Sequence, residues 1–241
     1  MADYGLSVSN IYGAVVISSS YKVMVFSERG SFRIQSRYSD KEGYGSVTFA
    51  KPVYTQEAPQ VFLRHVSGVH ASLGLFITML GGPGNWTGFL ITSAVRVGNT
   101  LQNYLIEYVV CKYSDQPSRQ PYGMNIYDAQ GQVVFSSDDK VVRYTKFAKN
   151  WTLVVGNQVD TYKSNLIIDA DDFVCVSSID RGLNWFADGA GYVGISLLNN
   201  NALTLEITAQ RSGGGYWYYQ GTNGTCFGVP VCKFPLSRYY N

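Results

Sequence analysis

The sequence predicts an all-β protein made of two tandem β-sandwich domains related by internal duplication. Three observations carry that reading. Short runs rich in Val, Ile, Tyr, Phe and Thr recur along the chain, separated by Gly, Pro, Asn and Asp clusters, which is the pattern of strands and turns. A hairpin sequence at the start returns in the middle of the chain. The composition is poor in charge, at 15%, and rich in aromatic residues, with 19 Tyr beside 25 Gly; ordinary domains carry about 25% charged residues.

The first element is the hairpin in MADYGLSVSNIYGAVVISSSYK. Leu6 and Val8 alternate with polar neighbours, Asn10-Ile11-Tyr12-Gly13 supplies the turn, and Val15, Val16 and Ile17 carry the return strand. Shifted by 118 positions, YGLSVSNIYGAVVISSSYKV lies without gaps over YGMNIYDAQGQVVFSSDDKV. Tyr4, Gly5, Gly13, Val15, Val16, Ser18, Ser19, Lys22 and Val23 meet Tyr122, Gly123, Gly131, Val133, Val134, Ser136, Ser137, Lys140 and Val141. These are nine identities in twenty positions, where unrelated segments would share roughly one or two. Leu6, Val8 and Ile17 become Met124, Ile126 and Phe135, so alternate positions expected to face a core stay apolar while their volumes change. Gly13 and Gly131 are expected to close the turns at positive φ.

Further along, Gly45–Ala50, Gln60–Val66, Leu73–Met79 and Thr87–Val97 read as strands, with Gly81-Gly82-Pro83-Gly84 turning between the last two. The stretch from Leu101 to Val109 fits helical spacing and also alternates as a strand. Its counterpart, Thr225–Cys232, holds a Gly and a Pro that would damage a helix, so strand is expected in both. Val110-Cys111-Lys112-Tyr113 matches Val231-Cys232-Lys233-Phe234, and Ile91-Thr92 matches Ile207-Thr208, so the repeat spans each half. Between the halves, Ser114–Pro121 is polar and carries two prolines. The expected organisation is domain 1 over 1–113, an exposed linker over 114–121 and domain 2 over 122–241. In the second half, Trp151–Val155, Phe173–Ser177, Tyr192–Leu198 and Ala202–Ala209 read as strands, with turns at Asp188-Gly189 and Asn199-Asn200-Asn201.

Composition and spacing exclude several classes of function. Net charge is +2 with no stripe of Lys or Arg, so nucleic-acid binding is not expected. The longest apolar runs are broken before membrane-spanning length. Cys111, Cys175, Cys226 and Cys232 form no CxxC and have no His at metal-ligand spacing. They are expected to be mostly buried thiols, and whether Cys226 and Cys232 meet across their short loop stays open. The opening lacks the basic start and apolar run of a secretion signal, so folding in the cytoplasm is expected and the Asn-X-Thr tripeptides at Asn85, Asn150 and Asn223 carry little weight.

The pattern Tyr-Gly-Leu-x-Val-x-Asn-x-x-Gly-x-Val-x-Ile-x-Ser from Tyr4 resembles the start of a family of bacteriophage tail proteins. Ile126–Ser136 resembles another hairpin frequent in phage structural proteins. The resemblance implies a tail or tail-tip subunit that folds in the host cytoplasm and leaves by lysis. Its partners would be other tail subunits in a symmetric assembly, with a host-surface receptor or glycan as a further expectation. No catalytic residue and no cofactor come with it.

The chain's own chemistry agrees with a non-enzymatic reading. His65 and His70 are the two histidines, an odd number of positions apart and without a nucleophile elbow beside them, so a structural role is expected. Asp169-Ala170-Asp171-Asp172 and Asp138-Asp139 offer carboxylates but lack the loop pattern of a calcium site, so they are expected to be solvated turns and no metal is expected. The candidate binding residues are Tyr216, Trp217, Tyr218 and Tyr219, which follow three glycines. Four consecutive aromatics cannot all face one core in a strand, so at least two are expected to point outward, toward a subunit or a sugar ring. Two alternatives accompany the structural-subunit expectation: a carbohydrate-binding module using Trp217, and an envelope-degrading enzyme.

Overall fold

The computed structural model describes residues 7–9, 11, 15–37, 42–67, 73–95, 104–154, 159–177, 192–197, 205–210 and 228–239. The first half forms β1 (Ser7–Ser9), β2 (Val15–Ser18), β3 (Met24–Ile34), β4 (Ser36–Arg37), β5 (Glu42–Val53), β6 (Gln60–Ser67), β7 (Leu73–Gly82), β8 (Asn85–Val95) and β9 (Tyr104–Tyr113). The second half forms β10 (Asn125–Tyr127), β11 (Val133–Ser136), β12 (Tyr144–Ala148), β13 (Trp151–Val154), β14 (Val159–Ser164), β15 (Asp172–Cys175), β16 (Tyr192–Leu197), β17 (Leu205–Gln210) and β18 (Val229–Lys233). A short helix, α1 (Leu236–Tyr239), follows.

The strands assemble into two large antiparallel sheets and two free hairpins. The six-stranded sheet runs β12-β18-β15-β6-β9-β3, the eight-stranded sheet β13-β14-β17-β16-β7-β8-β5-β4, and β1-β2 and β10-β11 stand apart. In both sheets a strand of the first half and the strand nine places later occupy matching positions, counted from opposite ends. Local detail matches too. The first hairpin pairs Ser7 with Ser18, Val8 with Ile17 and Ser9 with Val15; the second pairs Asn125 with Ser136, Ile126 with Phe135 and Tyr127 with Val133, and the register slips at the same step. A second shared slip lies between Phe26 and Glu28 on β3 and between Tyr144 and Lys146 on β12.

The chain is all-β, as expected, but the boundary at 114–121 does not separate two independent sandwiches. β6 pairs with β15 through Leu63–Val174 and Phe62–Cys175, and β7 pairs with β16 through Leu75–Ile195, so both sheets run across both halves. The physical reason is the edge strand: left alone, each half would expose an unpaired row of peptide groups at β6 and β7, and the other half supplies the missing partner. Nor is 114–121 a free hinge. Ser114 is fully buried and its Oγ donates to Asp139 at 2.6 Å; the Ser118 and Arg119 amides donate to Asn125 Oδ1 and Asp138 Oδ2. Gln116, Pro117, Arg119, Gln120 and Pro121 are exposed, as expected.

One core lies between the sheets. Phe32, Leu63, Ile106, Val110, Val174 and Val231 from the six-stranded sheet meet Val47, Leu75, Phe89, Ile91 and Ile195 from the eight-stranded sheet. The six-stranded sheet is apolar on its other face as well, where Met24, Phe62, Val109, Cys111, Val142, Phe173, Cys175, Cys232, Phe234 and Tyr239 pack together. A strand covered on both faces carries apolar residues on both, which is why the stretch from Leu101 to Val109, strand from Tyr104 on, also fits helical spacing. The second core is enclosed because the two edges of its sheet meet. Val25 bridges Val141, the Val142 amide donates to Met24 O and the Phe26 amide to Lys140 O, both at 2.9 Å. α1 closes that side, with the Tyr239 ring 5.5 Å from Phe26 and 5.3 Å from Phe234.

The turn between β7 and β8 requires its glycines. Gly81 and Gly84 have φ of 92° and 80°, and a Cβ on Gly81 would collide with Asn85 O. The Gly84 amide and the Trp86 indole both donate to Thr55 O, tying the hairpin tip to the chain after β5.

Candidate functional site

Two hairpins, β1-β2 and β10-β11, lie outside both large sheets. The second is held by many backbone bonds. Asp128 Oδ1 accepts from the Gln130 and Gln132 amides, the Ser137 amide donates to Met124 O, the Met124 amide donates to Ser137 Oγ, and the Val23 amide donates to Val134 O. Gly131 has φ of 76°, as the turn demands, and the Lys22 ammonium reaches Gln132 Oε1 at 2.9 Å, so the first hairpin's exit strand touches the second hairpin. The inward residues are Ile126, Val133 and Val134. Large apolar groups point out: Tyr122, Met124 and Tyr127 on the second hairpin, Val8 and Ile11 on the first, with Tyr21 just after it. This corrects the expectation that Val8 and Met124 face a core. The hairpins are two-stranded, so one face of each has no sheet to cover it.

The predicted aromatic run Tyr216, Trp217, Tyr218 and Tyr219 lies outside the described residues, as do His70, Cys226, Asp188-Gly189 and Asn199–Asn201. A different exposed aromatic pair is present on β12: Tyr144 and Phe147, ring centroids 5.6 Å apart, with the Lys149 ammonium 5.5 Å from the Phe147 ring. Tyr144 Oη donates to Gln60 Oε1 at 3.2 Å, and burial raises the Tyr144 pKa. Sequence reasoning missed this pair because Lys146 within β12 and Arg143 and Lys149 beside it hide its strand pattern.

Asp169, Asp171 and Asp172 come together at the start of β15, with one carboxylate oxygen of each within 4.8 Å of the others. Two ammonium groups occupy the position a cation would take. Lys146 Nζ donates to Asp169 at 2.8 Å and to Asp172 at 2.6 Å; Lys233 Nζ donates to Asp171 at 2.7 Å and lies 3.0 Å from Asp169. Hydrogen bonds to Asp171 and Asp169 hold the Lys233 pKa well above its ordinary value. Asp169, Ala170 and Asp171 are exposed, as expected of a solvated turn, but Asp172 is buried and its Oδ2 also accepts from the Asp169 amide, so the turn is clamped by lysines at its inner end. Asp138 and Asp139 likewise serve the fold, accepting from the Arg119 and Ser136 amides.

A third charged group had no signal in the sequence. Glu107 Oε2 on β9 accepts from Arg29 of β3 and Arg64 of β6, both at 2.6 Å. Both guanidinium carbons sit over the Phe173 ring, at 5.2 and 4.9 Å. Burial pushes the Glu107 pKa up, but the two arginine hydrogen bonds outweigh it and leave the pKa lowered. The three residues lie on adjacent strands across more than seventy positions of sequence, so only the register brings them together. His65 stands on β6 opposite Ile106.

Cys111, Cys175 and Cys232 are buried free thiols, as expected. Among the described residues, no helix is long and apolar enough to cross a membrane. No family model, curated protein or solved structure matches this chain.

Proposed function

We propose that the chain is a non-enzymatic structural subunit of a phage virion, of the tail or tail tip, that works by presenting preformed surfaces to other subunits. The observation that supports this best is the pair of free hairpins. Both carry large apolar side chains into solvent, and the second does so from a backbone already fixed by hydrogen bonds, so contact there would cost little ordering entropy. The resemblance from Tyr4 to Ser19 falls on the first of these hairpins. The matching strand orders and slips of the two halves support descent from one doubled unit, which would give the subunit two comparable faces. Host-surface engagement is the further step of the same proposal.

Mass spectrometry of purified particles tests it. The chain is expected in a fixed ratio to the other tail proteins, and its absence from intact particles contradicts the reading. A second reading, carbohydrate binding, is favoured by the exposed Tyr144–Phe147 pair, since sugar rings stack on such faces. Glycan-array binding that is lost in Phe147→Ala or Trp217→Ala would establish it over the first.

A further inference from the structure

β9 and β18 carry matching runs, Val110-Cys111-Lys112-Tyr113 and Val231-Cys232-Lys233-Phe234, and the chain that follows each docks on a matching residue. The Ser114 amide donates to Val23 O at 2.9 Å. Val141 O, on the counterpart of Val23, accepts from the Arg238 guanidinium at 3.0 Å and from Tyr239 Oη at 3.3 Å. The two docks are held differently. The first is tied further by Ser114 Oγ to Asp139 and by the Ser118 and Arg119 amides to Asn125 and Asp138. The second is one turn of helix, α1, in which Tyr239 is buried while Leu236 and Ser237 are exposed. A single turn has no stability of its own. α1 therefore depends on its anchors: the Tyr239 ring against Phe26 and Phe234, and Lys140 Nζ on Tyr239 O at 2.9 Å. Behind that ring lies the second core, where Tyr239 packs with Met24, Phe62, Cys111, Cys175 and Cys232. Of the three thiols, Cys111 and Cys232 act on the Tyr239 phenol, raising a pKa that burial has already raised.

We propose that α1 is a gate on the second core, with the Tyr239 ring as its latch, and that it undocks as a local unit while both large sheets stay folded. Undocking breaks the anchors at Val141, Lys140, Phe26 and Phe234 and leaves the strand ladders intact, so it costs less than unfolding the whole chain. It takes place where the six-stranded sheet closes on itself, beside the Val25–Val141 bridge. Opening bares the Cys111 and Cys232 thiols and the apolar surface around them. Docked, α1 shields both from any reagent in solution.

Hydrogen exchange and thiol labelling of the full chain test the gate, with Tyr239→Ala and Tyr239→Phe beside the wild type. In the wild type the Arg238 and Tyr239 amides, which donate to Pro235 O, are expected to exchange at least about tenfold faster than the Val176 amide of the β6–β15 pair. In Tyr239→Ala a thiol reagent at pH 8 is expected to label Cys111 and Cys232 roughly a hundredfold faster than in the wild type, while the Val176 amide stays in the slowest class. Tyr239→Phe keeps the ring and is expected to label as slowly as the wild type. Wild-type α1 amides that exchange together with Val176 overturn the proposal, and this result decides the matter alone if the alanine variant does not fold. Alanine-variant thiols that stay protected also overturn it, as do thiols that label only when Val176 loses its protection. A phenylalanine variant that labels like the alanine one removes the ring as the latch.

Discussion

Cys175 of β15 lies directly opposite Phe62 of β6, in the antiparallel pair that joins the two halves of the six-stranded sheet. Both are fully buried, and the Phe62 ring meets Phe234 edge-on at 5.3 Å. Phe62→Ala is expected to cost about 3–5 kcal/mol, the usual penalty for an emptied aromatic site. Urea unfolding followed by circular dichroism should show one transition moved to lower denaturant, not two. A split transition would mean that the halves fold separately.

The clamp at Asp172 makes a different kind of prediction. Its side chain is inaccessible to water, and Lys146 is its 2.6 Å partner. Lys146→Met is expected to destabilise by about 3 kcal/mol, because it strands a buried carboxylate. In an Asp172→Asn background the same change should cost much less, since no buried charge remains. Equal costs in the two backgrounds would show that the pair is uncoupled. Calcium is expected to leave the melting temperature unchanged, because the Lys146 and Lys233 ammonium groups already bond all three carboxylates of the turn.

Acid should loosen the triad of Arg29, Glu107 and Arg64. The folded pKa of Glu107 lies below its ordinary 4.5, so its contribution is fully present above that value and is lost as pH falls through the folded pKa. Glu107→Gln is expected to lower stability near neutral pH by about 1–3 kcal/mol, and to lose less than the wild type on acidification. Parallel stability curves for the two proteins between pH 5 and pH 2 would contradict this.

The buried thiols should be inert. Burial pushes the Cys111 thiol far above its usual range and the Cys232 thiol up to about 12. At pH 8 a thiol reagent should leave Cys111, Cys175 and Cys232 unlabelled in the native protein and label all three after unfolding, as read by peptide mass spectrometry. Rapid native labelling at any of them would show that the second core opens.

Much of the strand content was legible because alternation and turn residues mark it locally. Gly45–Ala50, Gln60–Val66 and Leu73–Met79 fall on strands, Thr87–Val97 and Phe173–Ser177 overlap β8 and β15, and Gly81–Gly84 turns where the glycines demand it. β3 was not legible, because Glu28, Arg29 and Arg33 interrupt its pattern; in the fold Arg29 bonds Glu107, and Glu28 accepts from Tyr108 and the Ala50 amide. β14, with Asp160 and Lys163, was hidden in a similar way. The repeat in sequence located matching hairpins but not the sharing of sheets, since strand pairing across 113 positions leaves no local trace. The site was less legible still. Arg29, Arg64 and Glu107 meet through register, and the exposure of Met124 follows from a hairpin that no sheet covers.

The most direct measurement is native-state hydrogen exchange across the β6–β15 seam, where the Val176 amide donates to Val61 O at 2.9 Å. If two halves share their sheets, peptides covering Val61–Leu63 and Val174–Val176 belong to the slowest class and exchange together at the global unfolding rate. Prompt exchange of one while the other stays protected would show that the seam is not a structural joint, and the single body built from both halves would have to be abandoned.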